Sequence, residues 1–211
     1  MRSPRALEGV VMPESQKTET LAKDLVLAGL ESVRQLGGED LVQMLLERPG
    51  MPDLGGAQMM DERVPLDFYL QYRDAALDFF QDAYALTAFQ TGIQMVENLE
   101  NGAQRHQLQM LVKRFRHTAN PLLLLGQAAV LAAEGNPGKV RATADRGGLV
   151  LSIENCPECR GLRHSAPICY LNQGVATEFA RRFLNIEVRT SEVRCSALGD
   201  PCCEIRVTRV D

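Results

Sequence analysis

Around Gly135-Asn136-Pro137-Gly138 the hydrophobic period of this chain changes, and that change limits the fold more than any other feature. Upstream, apolar residues recur at helical spacing. Leu21, Leu25, Ala28, Gly29 and Leu36 form one run from Thr18, ended by Gly37-Gly38, and a short second helix fits residues 39–47 before Pro49-Gly50. Pro65 opens a helix carrying Leu66, Tyr69, Leu70, Arg73, Leu77 and Phe80. Residues 84–99 repeat the pattern with Leu86, Phe89, Ile93 and Val96, and residues 106–117 with Leu108, Leu111, Val112 and Phe115. Asn120-Pro121 then starts an apolar, small-residue helix that runs to Glu134.

Downstream the period is two. Val140, Ala142 and Ala144 alternate with polar residues, Arg146-Gly147-Gly148 supplies a turn, and Leu149, Leu151 and Ile153 alternate again, which predicts a β-hairpin. Residues 167–183 read as helix. Residues 188–194 and 203–210 read as two strands joined by Leu198-Gly199-Asp200-Pro201. The predicted class is α+β, a helical N-terminal half followed by an antiparallel sheet built as β-hairpin, helix, β-hairpin. Residues 1–17 read as a flexible lead-in, 18–63 as N-terminal helices and linker, and 64–211 as a ligand-binding domain.

All six cysteines (Cys156, Cys159, Cys169, Cys195, Cys202 and Cys203) lie in this second part. A disulfide scaffold would carry them throughout a small secreted chain, so clustering here points to metal or redox chemistry. On a regular strand Glu192 and Cys195 would face opposite ways, so bringing both to one ion needs a bulge or strand end. Gly199-Asp200 lets the chain reverse and return Cys203 beside Cys195, and Cys169 sits at a helix start. Cys169, Glu192, Cys195 and Cys203 together make a closed tetrahedral set suited to structural zinc. Neighbours on a strand face opposite sides, so of Cys202 and Cys203 only one ligates; the spacing favours Cys203 and leaves Cys202 as a small core residue. Cys156-x-x-Cys159 stays open between a redox pair, additional metal ligands in a four-cysteine site with Cys195 and Cys203, and an inert hairpin end.

The stretch from Cys156 to Val207 resembles the vinyl-4-reductase domain family, found in bacteriochlorophyll-biosynthesis proteins and in the sensory domains of phenol-responsive activators. The resemblance is carried by Pro167-Ile168-Cys169, Gly174, and Glu192-x-x-Cys195-x-x-x-Gly199-Asp200-x-x-Cys203. It implies structural zinc on Cys169, Glu192, Cys195 and Cys203. Asn155-Cys156-Pro157-Glu158-Cys159-Arg160-Gly161 looks more like the bacteriochlorophyll 4-vinyl reductase (J protein) branch. The resemblance also implies an apolar ligand pocket between sheet and helices. Its candidate walls are Phe115, residues 122–125 and Tyr170, with His106 and His117 as polar points and His164 as a third histidine. Either the leucines are core and the histidines solvated, or one histidine ligates the magnesium of a chlorophyllide-like tetrapyrrole.

No Gly-x-Gly-x-x-Gly, P-loop or four-cysteine iron–sulfur run supplies a reductant site. The expectation is therefore a zinc-containing protein of (bacterio)chlorophyll biosynthesis, and so of photosynthesis, that binds or carries a tetrapyrrole. The alternatives are a divinyl (proto)chlorophyllide vinyl reductase and a sensory module for a small aromatic. A net charge of −4 argues against nucleic acid as partner. No apolar core follows Met1-Arg2-Ser3-Pro4-Arg5, and the apolar stretch 122–133 falls short of the roughly 20 residues a span needs. A cytoplasmic protein is expected. Apolar stripes on the N-terminal helices suggest a homodimer, and pigment-synthesis enzymes are the expected protein contacts.

Overall fold

The computed structural model describes residues 19–56, 59, 61–101, 110, 121–133, 137–145 and 147–210. Among them are helices α1 (Asp24–Leu46), α2 (Leu66–Phe80), α3 (Tyr84–Asn101), α4 (Pro121–Ala132) and α5 (Tyr170–Leu184). Strands β1 (Thr20–Ala22) and β2 (Arg63–Pro65) form an antiparallel ribbon. Strands β3 (Lys139–Asp145), β4 (Gly148–Glu154), β5 (Val188–Arg194) and β6 (Cys203–Arg209) form an antiparallel sheet in the order β3-β4-β6-β5. This is the α+β arrangement expected from the change of period. The lead-in, the helix over 106–117 and most of the Gly135–Gly138 break lie outside the described residues.

The sheet follows from alternation. Leu149, Leu151 and Ile153 of β4 pair with Val207, Ile205 and Cys203 of β6, and all six are buried. Two central strands thus present one continuous apolar face, which α4 and α5 cover. A second core joins α1, α2, β2 and the start of α3 around Val26, Leu45, Val64 and Tyr69. Helices α3 and α5 serve both, with Ala88 and Leu171 in the helical core and Val96 and Phe179 against the sheet.

The N-terminal end departs from expectation. The run from Thr18 opens as strand β1, because Leu21 is buried by pairing with Val64 rather than by a helix turn. Helix α1 then continues through the predicted stop at Gly37, with its break at Gly38 (φ 75°, ψ −172°), a conformation glycine reaches without steric cost. The predicted second helix abuts the first across this kink.

Helices α3 and α5 cross glycine on glycine. A Cβ on Gly174 would overlap the Phe89 carbonyl oxygen, and one on Gly92 would overlap that of Leu171. Gly174→Ala is expected to destabilise by about 2 kcal/mol in denaturant unfolding, although alanine is favoured by about 1 kcal/mol in an unconstrained helix. A neutral result would show that the helices do not approach this closely. The crossing is also clamped by charge. Glu178 of α5 is buried, which raises its pKa, but Arg181 and Arg182 outweigh burial and hold it below the usual 4.5, while Arg182 reaches Glu97 on α3.

Candidate metal centre

Three separated segments converge at one end of the sheet. The first is the turn after β4, where the Cys159 N–H donates to the Cys156 carbonyl at 3.1 Å. The second is Cys169, the residue that caps the N-terminus of α5. The third is the β5–β6 connection. Strand β5 carries a bulge between Glu192 and Arg194, with Val193 half exposed, which breaks strict alternation and lets Glu192 and Cys195 share a face. The Cys195 N–H then donates to Asp200 Oδ2 at 2.9 Å, Gly199 turns with φ 103°, and β6 begins at Cys203.

The ligating atoms of Cys159, Cys169, Glu192, Cys195 and Cys203 all lie within 4.8 Å of one another. The four residues expected from spacing are therefore brought together, with Cys159 added. Cys159 Sγ is 3.2 Å from Cys169 Sγ, 3.5 Å from Cys195 Sγ and 3.4 Å from Cys203 Sγ. Cys156 Sγ approaches Cys169 Sγ at 3.5 Å but stands outside the mutual group. Cys202 is not in the core: it is half-buried, 4.0 Å from Glu204, since alternation aims it away from Cys203. The Glu192 carboxylate accepts the Cys169 N–H on Oε2 at 2.8 Å, while its buried Oε1 has no hydrogen-bond partner.

The electrostatics favour a cation. Neighbouring thiols, Cys156 foremost, and burial push Cys159 and Cys169 far above the ordinary thiol range, and burial pushes Cys195 up to about 12. Hydrogen bonds from Cys156, Cys159 and Cys169 hold Cys203 far below that range. Packed acids of this kind ionise together only when a positive charge sits among them. A sulfur-rich donor set with one spare carboxylate oxygen fits a divalent ion of the zinc type.

The same turn is gripped from the other side. Arg73 of α2, 3% exposed, donates to the carbonyls of Pro157 at 2.7 Å, Arg160 at 2.9 Å and Glu158 at 3.3 Å. The buried Glu158 carboxylate accepts the hydroxyl of Tyr69, and that of Tyr84 at 3.4 Å. Burial raises the Glu158 pKa, offset in part by Tyr69 and Arg73. These groups, with Tyr72, Thr87 and Thr91, enclose a cavity of about 20 Å³. The sequence signal was Tyr69, Tyr72 and Arg73 crowded on one face of α2; nothing local marked Glu158 as their partner.

The predicted pocket residues are not brought together. Leu122, Leu124 and Leu125 are buried core, and Tyr170 packs into the helical core. Leu123 instead lines an open apolar cavity of about 510 Å³ with Gly126, Val130, Leu131, Ala142 and Leu149. His164 is exposed and hydrogen-bonded to Ala166. His106, Phe115 and His117 lie outside the described residues.

Strands β4 to β6, helix α5 and all five clustered donors fall within one stretch that matches a known family. Residues 149–209 match the vinyl-4-reductase (V-4-R) domain. This is the family that the motifs resemble. An uncharacterized protein of Methanocaldococcus jannaschii is 35% identical over 74 residues, which are 35% of this chain. The match spans 40% of that protein's length. Beyond the vinyl-4-reductase segment, the whole fold is similar to an H-NOX protein from S. oneidensis in the Fe(II)NO ligation state, with TM-score 0.61 and 12% identity over 90% of this chain and 100% of that one. An unliganded Fe(II) H-NOX protein from K. algicida gives TM-score 0.63 at 8% identity over 90% and 97%. The phenol-responsive sensory domain of the activator PoxR gives TM-score 0.49 at 18% identity over 69% and 75%. At these identities the likeness concerns fold. Among the described residues, no helix is long and apolar enough to cross a membrane.

Proposed function

We propose that this chain is a small-molecule-binding module in which a structural metal, zinc by its donor set, staples the vinyl-4-reductase segment, and the ligand occupies the apolar cavity beside α4. The cavity carries the reading. At about 510 Å³ it lies within the range of small-molecule sites, and its walls are Leu123, Val130, Leu131 and Leu149 with Gln127 as a polar point. The Cys169, Cys195 and Cys203 thiolates hold the metal, and the fourth place falls to Glu192 or Cys159.

An apolar cavity with so few polar groups selects a flat, weakly polar ligand. A tetrapyrrole intermediate of (bacterio)chlorophyll synthesis is the leading candidate, on the strength of the Cys156-x-x-Cys159 element and its resemblance to the J-protein branch. Vinyl reduction would need an external electron donor.

Native mass spectrometry with metal analysis tests both halves. One zinc per chain is expected, together with an absorbance shift on adding Mg-protoporphyrin that Leu131→Asp weakens. A shift absent for the tetrapyrrole but present for a small aromatic would replace the ligand and keep the cavity. Binding that Leu131→Asp leaves untouched would place the ligand elsewhere.

A further inference from the structure

The reading that this centre holds zinc leaves five donors for four places. We propose that Cys159 takes the fourth, so that the shell is Cys159, Cys169, Cys195 and Cys203, with Glu192 outside it, and that metal binding thereby fastens the turn over residues 156–160, and helix α2 with it, to the sheet.

The distances favour sulfur. Zinc–thiolate bonds of about 2.3 Å at tetrahedral angles put the sulfurs about 3.8 Å apart. Cys159 Sγ stands 3.2, 3.5 and 3.4 Å from the three other sulfurs, so it already lies over the face they form. A separation widened by a few tenths of an ångström accommodates the ion. Cys156 has one close sulfur neighbour in Cys169, with the Asn172 amide 4.0 Å away, and sits outside the group of mutually close donors.

Glu192 is otherwise engaged. Its Oε2 accepts the Cys169 N–H at 2.8 Å, which orients one ligand, the usual work of an outer carboxylate. The backbone supports the thiolates in the same way, with the Ser196 N–H donating to Cys203 Sγ at 3.3 Å. The unpartnered, buried Oε1 of Glu192 makes it a reserve donor, placed to enter the shell when Cys159 is removed.

The assignment has a mechanical result. A shell of Cys169, Glu192, Cys195 and Cys203 would tie only α5 and the β5–β6 connection. With Cys159 included, the ion also holds the turn whose carbonyls accept from Arg73 and whose Glu158 accepts from Tyr69 and Tyr84. The metal then stands one residue from the contact that seats α2.

Zinc X-ray absorption on the full chain separates the possibilities. Four sulfurs at about 2.3 Å and no lighter ligand are expected. Glu192→Gln and Cys156→Ser should keep all four, with zinc affinity lowered about 10- to 100-fold in Glu192→Gln as an outer-shell change. Cys159→Ser should give three sulfurs and one oxygen, and faster amide hydrogen exchange in the 156–160 turn and α2 than Glu192→Gln causes. A wild-type shell of three sulfurs and one oxygen, with the oxygen lost in Glu192→Gln, would overturn the assignment and leave the zinc reading standing, as would a sulfur lost in Cys156→Ser. Failure of the protein to take up zinc would overturn both. The wild-type and Glu192→Gln spectra decide the point even where Cys159→Ser does not fold.

Discussion

Chelating the metal at neutral pH is expected to lower the thermal midpoint of this chain by about 20 °C or more. Structural zinc contributes on the order of 10 kcal/mol to small domains, and each kcal/mol moves the midpoint of a chain this size by about 2–4 °C. The basis lies in what the cluster occupies. Cys156, Cys159, Cys169, Cys195 and Cys203 are members of the sheet's own core, packed with Ile153, Ala197 and Ile205. Without a cation the cysteines around Cys203 keep their protons, because burial and one another's presence raise Cys159, Cys169 and Cys195. Metal binding must displace those protons, so zinc affinity should rise with pH between about 6 and 8. Calorimetry with and without chelator, with zinc added back, measures the effect. An unchanged midpoint in protein shown to be metal-free would remove the metal from any structural role. Cys195→Ser should reproduce most of the loss.

The second large effect belongs to Arg73. Arg73→Leu keeps much of the side-chain volume but removes the donor to three carbonyls and the charge beside Glu158. Breaking a buried charged network by removing one partner costs about 3–5 kcal/mol, and that loss is expected in denaturant unfolding. The exposed Arg34, paired with Glu31 and Glu39, is the control, and its removal should scarcely register. Equal effects at the two positions would show that the grip on the 156–160 turn is not a source of stability.

How much of this was legible depended on how local the cause was. The sheet could be read because Leu149, Leu151 and Ile153 alternate within a few residues and a glycine turn precedes them. The bulge in β5 was implicit in Glu192-x-x-Cys195, a spacing that serves one ion only if alternation fails between them. Strands β1 and β2 were not legible, since three residues each carry no period and their pairing spans the whole of α1. Cys159 stayed undecided because a Cys-x-x-Cys turn does not reveal which core it enters. Glu158 was invisible for a related reason: its partners Tyr69, Arg73 and Tyr84 sit on two helices far upstream, and no local pattern joins them.

The place of β6 in the sheet bears on how the protein acquires its structure. The strand lies between β4 and β5, so Cys203 reaches its neighbours only when Ile153 is paired across the intervening helix and β5 has bent at its bulge. Pairings so distant along the chain are slow to find, because loop closure must precede any gain from contact. Until β6 is seated there is no complete donor set, and a partly folded chain has little with which to hold zinc. Capture of the ion therefore marks the moment at which the last and least local step of folding is complete.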